Sequence, residues 1–147
     1  MKRFGTGLVA ALAALVVVAG CGSTRTPVGA LTKAQYIARA DAVCQALLNK
    51  LEAANSKATS FEGALKAATV TRRQADAQLR AIPMPASERA PSEWLHWREL
   101  ATAENKRGVD AKPFSAARTA AIKAEFQATL KARAIANAYG MTTCARH

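Results

Sequence analysis

The sequence predicts an all-α protein, an antiparallel four-helix bundle. Three observations carry that prediction. Alanine, the strongest helix former, supplies 36 of the 147 residues and glycine only 8, a balance that argues against an all-β domain. Apolar residues recur at spacings of three and four in successive stretches, as one buried face of a helix requires. Short connections separate the stretches, which favours antiparallel neighbours. The length suits one small domain. Half of the residues are hydrophobic, but from residue 21 onward only 26 are Leu, Ile, Val, Phe, Met, Trp or Tyr. The expected core is therefore thin and built largely of methyl groups. Two His and three Cys leave too few ligands for a multi-ligand metal site, and no Gly-rich phosphate loop is present. No cofactor is expected.

The first segment, residues 1–20, reads MKRFGTGLVAALAALVVVAG. Lys2 and Arg3 precede an apolar run of twelve residues, Leu8 to Ala19, which is short of the roughly 20 residues a membrane span needs. A positive start, a short apolar middle and a small-residue end are the marks of a secretory signal peptide. Val18-Ala19-Gly20-Cys21 follows. This tetrapeptide resembles the lipobox of bacterial lipoproteins. The resemblance implies lipidation of the Cys21 thiol and cleavage between Gly20 and Cys21. It also implies a membrane anchor of two or three acyl chains, palmitate among them. One chain alone binds marginally, at about 0.8 kcal/mol per buried CH₂, whereas several on one residue hold. The expected location is extracytoplasmic, on the cell membrane. Residues 21–31 then read as a lipidated N-terminus and flexible tether, with a span of roughly 16–19 Å.

The helical domain is expected over 32–147. Thr32 with Gln35 forms a capping-box pattern, and Ile37, Ala40, Cys44, Leu47 and Leu51 give the first helix one apolar stripe that fades near Asn55-Ser56. The second helix runs from Ser60 to Ile82 with the stripe Phe61, Leu65, Ala68, Ala75, Leu79 and Ile82. Arg72 interrupts that stripe and is expected to lay its methylenes on it while keeping its charge in water. Glu62–Lys66 and Asp76–Arg80 have the i,i+4 spacing of surface pairs. Pro83-Met84-Pro85 ends the helix. The third helix starts between Ser87 and Ser92, with Pro91 tolerated in its first turn, and ends near Gly108. The fourth spans Ser115 to Tyr139, with Gly140 placed as a left-handed cap.

If the lipid takes Cys21, Cys44 and Cys144 remain, and one pairing is possible. Outside the cytoplasm a disulfide persists; two buried thiols are the alternative. The bridge would close a loop of about 100 residues, which the chain-entropy model values at about 4–5 kcal/mol. The tail after Gly140 would have to fold back by roughly 15 Å to reach Cys44, at 1.5 Å per helical residue. With the lipobox and tether, Ala40-Asp41-Ala42-Val43-Cys44 and Tyr139-Gly140-Met141-Thr142-Thr143-Cys144 resemble small helical lipoproteins and secreted proteins of high-GC actinobacteria. That resemblance implies a disulfide-linked helical domain and brings no catalytic residues with it.

Few constellations carry chemistry. Glu93-x-x-His96 is half of a di-iron signature, and the only other histidine, His147, has no Glu three residues before it. His96 is read as a surface histidine, or at most a weak metal contact shared with Glu93 or Glu99. No nucleophile has an activating partner, so no enzyme is expected. Trp94 and Trp97 share a helical face and read as core fillers or as an exposed aromatic contact. Without Lys2 and Arg3 the chain keeps 19 basic and 10 acidic residues. A basic domain held near a membrane favours anionic lipid, an anionic wall polymer or an envelope protein as partner. Nucleic acid is not expected for an exported protein. The alternative function is a small-molecule-binding bundle with Trp94 and Trp97 lining its pocket.

Overall fold

The computed structural model describes residues 30–146. The signal peptide, the Gly20–Cys21 junction, most of the tether and His147 lie outside the described residues. Four helices follow in order: α1 (Lys33–Lys57), α2 (Phe61–Arg80), α3 (Ala90–Asp110) and α4 (Ala116–Tyr139). A 3₁₀ turn, Cys144–Arg146, ends the chain. The fold is the expected all-α four-helix bundle. Leu31, read as tether, is half-buried and packs against the core.

Local chemistry explains the helix ends. The Thr32 hydroxyl accepts from the Gln35 backbone N–H at 3.3 Å, and the Gln35 side chain accepts from the Thr32 N–H at 3.0 Å. Ser60 accepts from Gly63 N–H and Ser115 from Arg118 N–H, so α2 and α4 also start on hydroxyl caps. Pro91 stands in the first turn of α3, which has no side-chain cap. Gly140 closes α4 with φ 97°, and its N–H and that of Met141 both return to Ala136 C=O, a conformation that costs any residue with a Cβ.

The core gathers at one end of the bundle. Tyr36, Ala40 and Cys44 of α1 meet Leu79 of α2, Trp94 and Leu95 of α3, and Ala132, Ala136 and Tyr139 of α4, with Met141 and Cys144 from the tail. The buried face of α4 is made of alanines, at 121, 128, 132 and 136. Small residues let backbones approach: a Cβ placed on Gly108 of α3 would lie 3.7 Å from the Ala121 Cβ. The α3–α4 interface is accordingly the most extensive in the protein. No Cα of α1 comes within 8 Å of one in α4. The tail fills that gap at the core end and packs on both helices.

Two attachments hold the tail to α1, and Arg133 Nε, donating to Ala145 C=O at 3.0 Å, holds it to α4. Cys44 and Cys144 form a disulfide, with Cα atoms 5.3 Å apart and a sequence separation of 100. One turn earlier, the Asp41 carboxylate accepts the backbone N–H groups of Thr143 (3.0 Å) and Cys144 (2.9 Å) and the Thr142 hydroxyl.

The ion pairs differ from those the sequence suggests. Glu62 pairs with Arg118 rather than Lys66, and Asp76 with Arg98 rather than Arg80. Arg80 turns to Glu99, and Arg72 reaches Glu125 instead of staying in water. An i,i+4 pair on a surface is worth a few tenths of a kcal/mol, so a partner on a neighbouring helix readily displaces it. Phe61, expected to open the α2 stripe, is 73% exposed.

Breaking the disulfide should lower stability by about 4–5 kcal/mol, a fall of roughly 15–20 °C in Tm for a domain this size. Circular-dichroism melts with and without reductant measure it. A fall of under about 3 °C would show that Asp41 alone holds the tail. Tyr36 provides a second prediction. Its hydroxyl is buried with no partner among the described residues, and burial pushes the phenol from the usual 10.0 up to about 12. An unsatisfied buried hydroxyl costs about 1–3 kcal/mol, so Tyr36→Phe should match or exceed the parent in urea denaturation. The folded value exceeds the unfolded one, so this group's stabilisation is complete below about pH 10 and lost as pH rises toward 12. Tyr36→Phe should flatten that part of the alkaline loss.

Candidate functional site: a polar layer and an exposed apolar face

A polar layer crosses the middle of the bundle. Helical spacing builds it: Thr69, Arg72 and Asp76 share the inner side of α2, Arg98, Thr102 and Asn105 that of α3, and Glu125 and Thr129 lie one turn apart on α4. Arg98 Nε donates to Asp76 Oδ1 at 2.8 Å. The Thr69 hydroxyl donates to Asn105 Oδ1 at 2.7 Å, and Asn105 Nδ2 donates to Glu125 at 3.2 Å. Arg72 Nη1 donates to the other Glu125 oxygen. Burial pushes the Asp76 carboxyl above its usual range despite the facing guanidinium. It also lowers the affinity of Arg98 for its proton.

Outside this layer the charge is one-sided. Six of the ten acidic side chains sit in ion pairs, and a seventh, Asp41, holds the tail. The one acid of α4, Glu125, faces inward to Arg72. Lys123, Lys131 and Arg133 are all exposed on that helix.

The same helix turns its large apolar residues outward. Ile122, Phe126 and Leu130 recur every four residues and are all exposed, Phe126 by 58%. Phe61 and Phe114 extend this stripe, sharing a cleft of about 270 Å³ with Ile122 and Arg118. Phe114 is fully exposed and has φ 61°, a left-handed conformation that a bulky side chain adopts only under strain. Every phenylalanine among the described residues is thus on the surface.

The tryptophans are placed differently. Trp94 is buried, with the Arg98 guanidinium 5.8 Å from its ring centroid. Trp97 is half-buried, and the Lys131 ammonium lies 4.0 Å from its centroid. The exposed His96 ring meets Trp97 edge-on. Trp94 is therefore a core residue, and neither ring lines the cleft at Phe61 and Phe114. Among the described residues, no group of three or more His, Cys, Asp or Glu could hold a metal ion, and no helix is long and apolar enough to cross a membrane. No protein-family model matches the chain, and no curated protein or solved structure matches it.

Sequence reasoning overlooked the polar layer and the α4 face. Thr69, Asp76, Thr102 and Asn105 could have been found as polar residues in register with apolar stripes. Alanines at 121, 128, 132 and 136 could have marked the buried side of α4.

Removing one partner of a buried pair costs about 3–5 kcal/mol, whereas replacing both by apolar groups is often neutral. Arg98→Met should therefore destabilise by that amount, and Arg98→Met with Asp76→Leu should recover most of it in urea denaturation. Burial already raises the Asp76 carboxyl, and removing Arg98 takes away the largest influence that opposes that rise. The Arg98→Met penalty should consequently shrink as pH falls from 7 toward 4 and grow as it rises.

Proposed function

We propose that this chain is a lipid-anchored, extracytoplasmic envelope protein without catalytic activity. Cys21 carries the lipid, and the α4 face lies against an anionic surface. The observation that carries the reading is the pairing on one helix of exposed Ile122, Phe126 and Leu130 with exposed Lys123 and Lys131. An apolar stripe flanked by cations is the composition of an interfacial helix: the apolar part enters the headgroup boundary and the cations meet anionic headgroups. A second copy of the chain is a poor occupant, because α4 against α4 would bring like charges together. A disulfide supports an oxidising compartment, and the lipobox supports the anchor. The cationic face leaves anionic wall polymer or an acidic envelope protein as alternative surfaces of the same chemistry. The small-molecule reading loses its tryptophan pocket, since Trp94 is packed into the core.

Two measurements test this separately. Mass spectrometry of protein from its own envelope should find Cys21 as a lipid-modified N-terminal residue, and Cys21→Ser should leave the precursor uncleaved. The lipid-free chain from residue 22 onward should sediment with phosphatidylglycerol vesicles at low salt and not with phosphatidylcholine vesicles. Lys123→Gln with Lys131→Gln should weaken binding roughly thirtyfold, at about 1 kcal/mol per charge, and Phe126→Ser should weaken it further. Indifference to anionic vesicles at low salt would refute the surface while leaving the anchor standing.

A further inference from the structure

The polar layer borders a pocket of its own. Arg98 is only 8% exposed and uses one nitrogen, Nε, on Asp76. Its two Nη nitrogens meet no acceptor among the described residues. Arg72 likewise engages Glu125 through Nη1 alone. Both arginines line a cavity of about 80 Å³, together with Thr102, Thr129, Leu47 and Leu51. Neither Asp76 nor Glu125 is in that wall, so its charged lining is two guanidinium groups and no carboxylate.

A water takes about 30 Å³ in the liquid, so the cavity holds two or three waters or one five-atom ion. The side chains of the wall offer two guanidinium groups as donors and only threonine hydroxyls as acceptors. A guest that only accepts fits this donor-rich space better, and free guanidinium edges grip oxyanions through paired N–H bonds. The resident carboxylates balance the two arginines, so the guest brings a net negative charge. The excess of 19 basic over 10 acidic residues that remains without Lys2 and Arg3 provides a potential that favours it. Leu47 and Leu51 of α1 lie on one side of the cavity's lining and Thr129 and Ala132 of α4 on another.

We propose that this cavity is a binding site for a small oxyanion, phosphate or the carboxylate of a small acid, held between Arg72 and Arg98. The site is independent of the α4 surface and stands or falls separately from it. The test is calorimetric titration of the full chain, purified in a non-ionic detergent, with inorganic phosphate and separately with acetate. Sodium chloride holds ionic strength constant. Saturable binding of one equivalent, with a dissociation constant below about 1 mM, supports the site. Phosphate alone binding marks a tetrahedral guest, and acetate alone a carboxylate. Arg98→Lys should weaken binding by about tenfold or more, because the planar fork is lost. Thr129→Met fills the cavity without removing a member of either ion pair; it should abolish binding with helical content unchanged, and it decides the matter if Arg98→Lys does not fold. Lys57→Gln, on the exposed end of α1, should leave binding as it was. A response that never saturates, one that chloride reproduces, or one that survives Thr129→Met overturns the proposal.

Discussion

The arrangement of this bundle depends on how its last residues are attached to its first helix. α1 and α4 make no close backbone approach and meet through side chains, Tyr36 against Tyr139; the segment after Gly140 packs on both, bonded to Cys44 and hydrogen-bonded to Asp41. A carboxylate accepting two backbone N–H groups sets the direction of the turn, and the disulfide removes much of the freedom of the unfolded chain. With a core this thin, closure of the ring of helices rests on that joint more than on apolar area. Beyond it, Leu47 and Leu51 of α1 and Thr129 and Ala132 of α4 together line the cavity that Arg72 and Arg98 share.

The features legible in the sequence are those decided locally. Thr32 with Gln35, Ser60, Ser115 and Gly140 stop and start helices through atoms within four residues of one another, so their spacing suffices to place them. The Cys44–Cys144 pairing followed from parity once Cys21 was assigned elsewhere. Features that depend on what a neighbouring helix presents were hidden. Glu62 and Asp76 each had a nearby cation in sequence, yet each bonds to one from another helix. The orientation of α4 was hidden for a different reason. Size-based reading places Phe126 inside and Ala128 outside, whereas close approach to Gly108 of α3 selects the alanine side.

Five of the ten acidic residues connect one element to another. Glu62, Asp76, Glu99 and Glu125 join helices and Asp41 joins the tail, while Glu104 and Asp110 pair within α3, and the excess charge left at the surface is basic. The excess positive charge is thus unevenly distributed, and on α4 it coincides with the side chains that a close-packed alanine interface turned away from the core. One packing choice, alanine against glycine, produces both the tight α3–α4 contact and the exposed Ile122, Phe126 and Leu130.

The joint at the chain's end also sets an order of events. A polypeptide is delivered from its N-terminus, whether by a ribosome or through a membrane pore, and α1 to α3 are free long before Cys144. Those helices can form and pair sequentially, but the partner of Asp41 and Cys44 arrives last. Until then the Cys44 thiol and the Asp41 carboxylate sit on an unfinished helix face, where the thiol can react with other partners. Maturation is therefore gated by the final few residues, and a chain cut short by even that much would keep all four helices while lacking the piece that locks them.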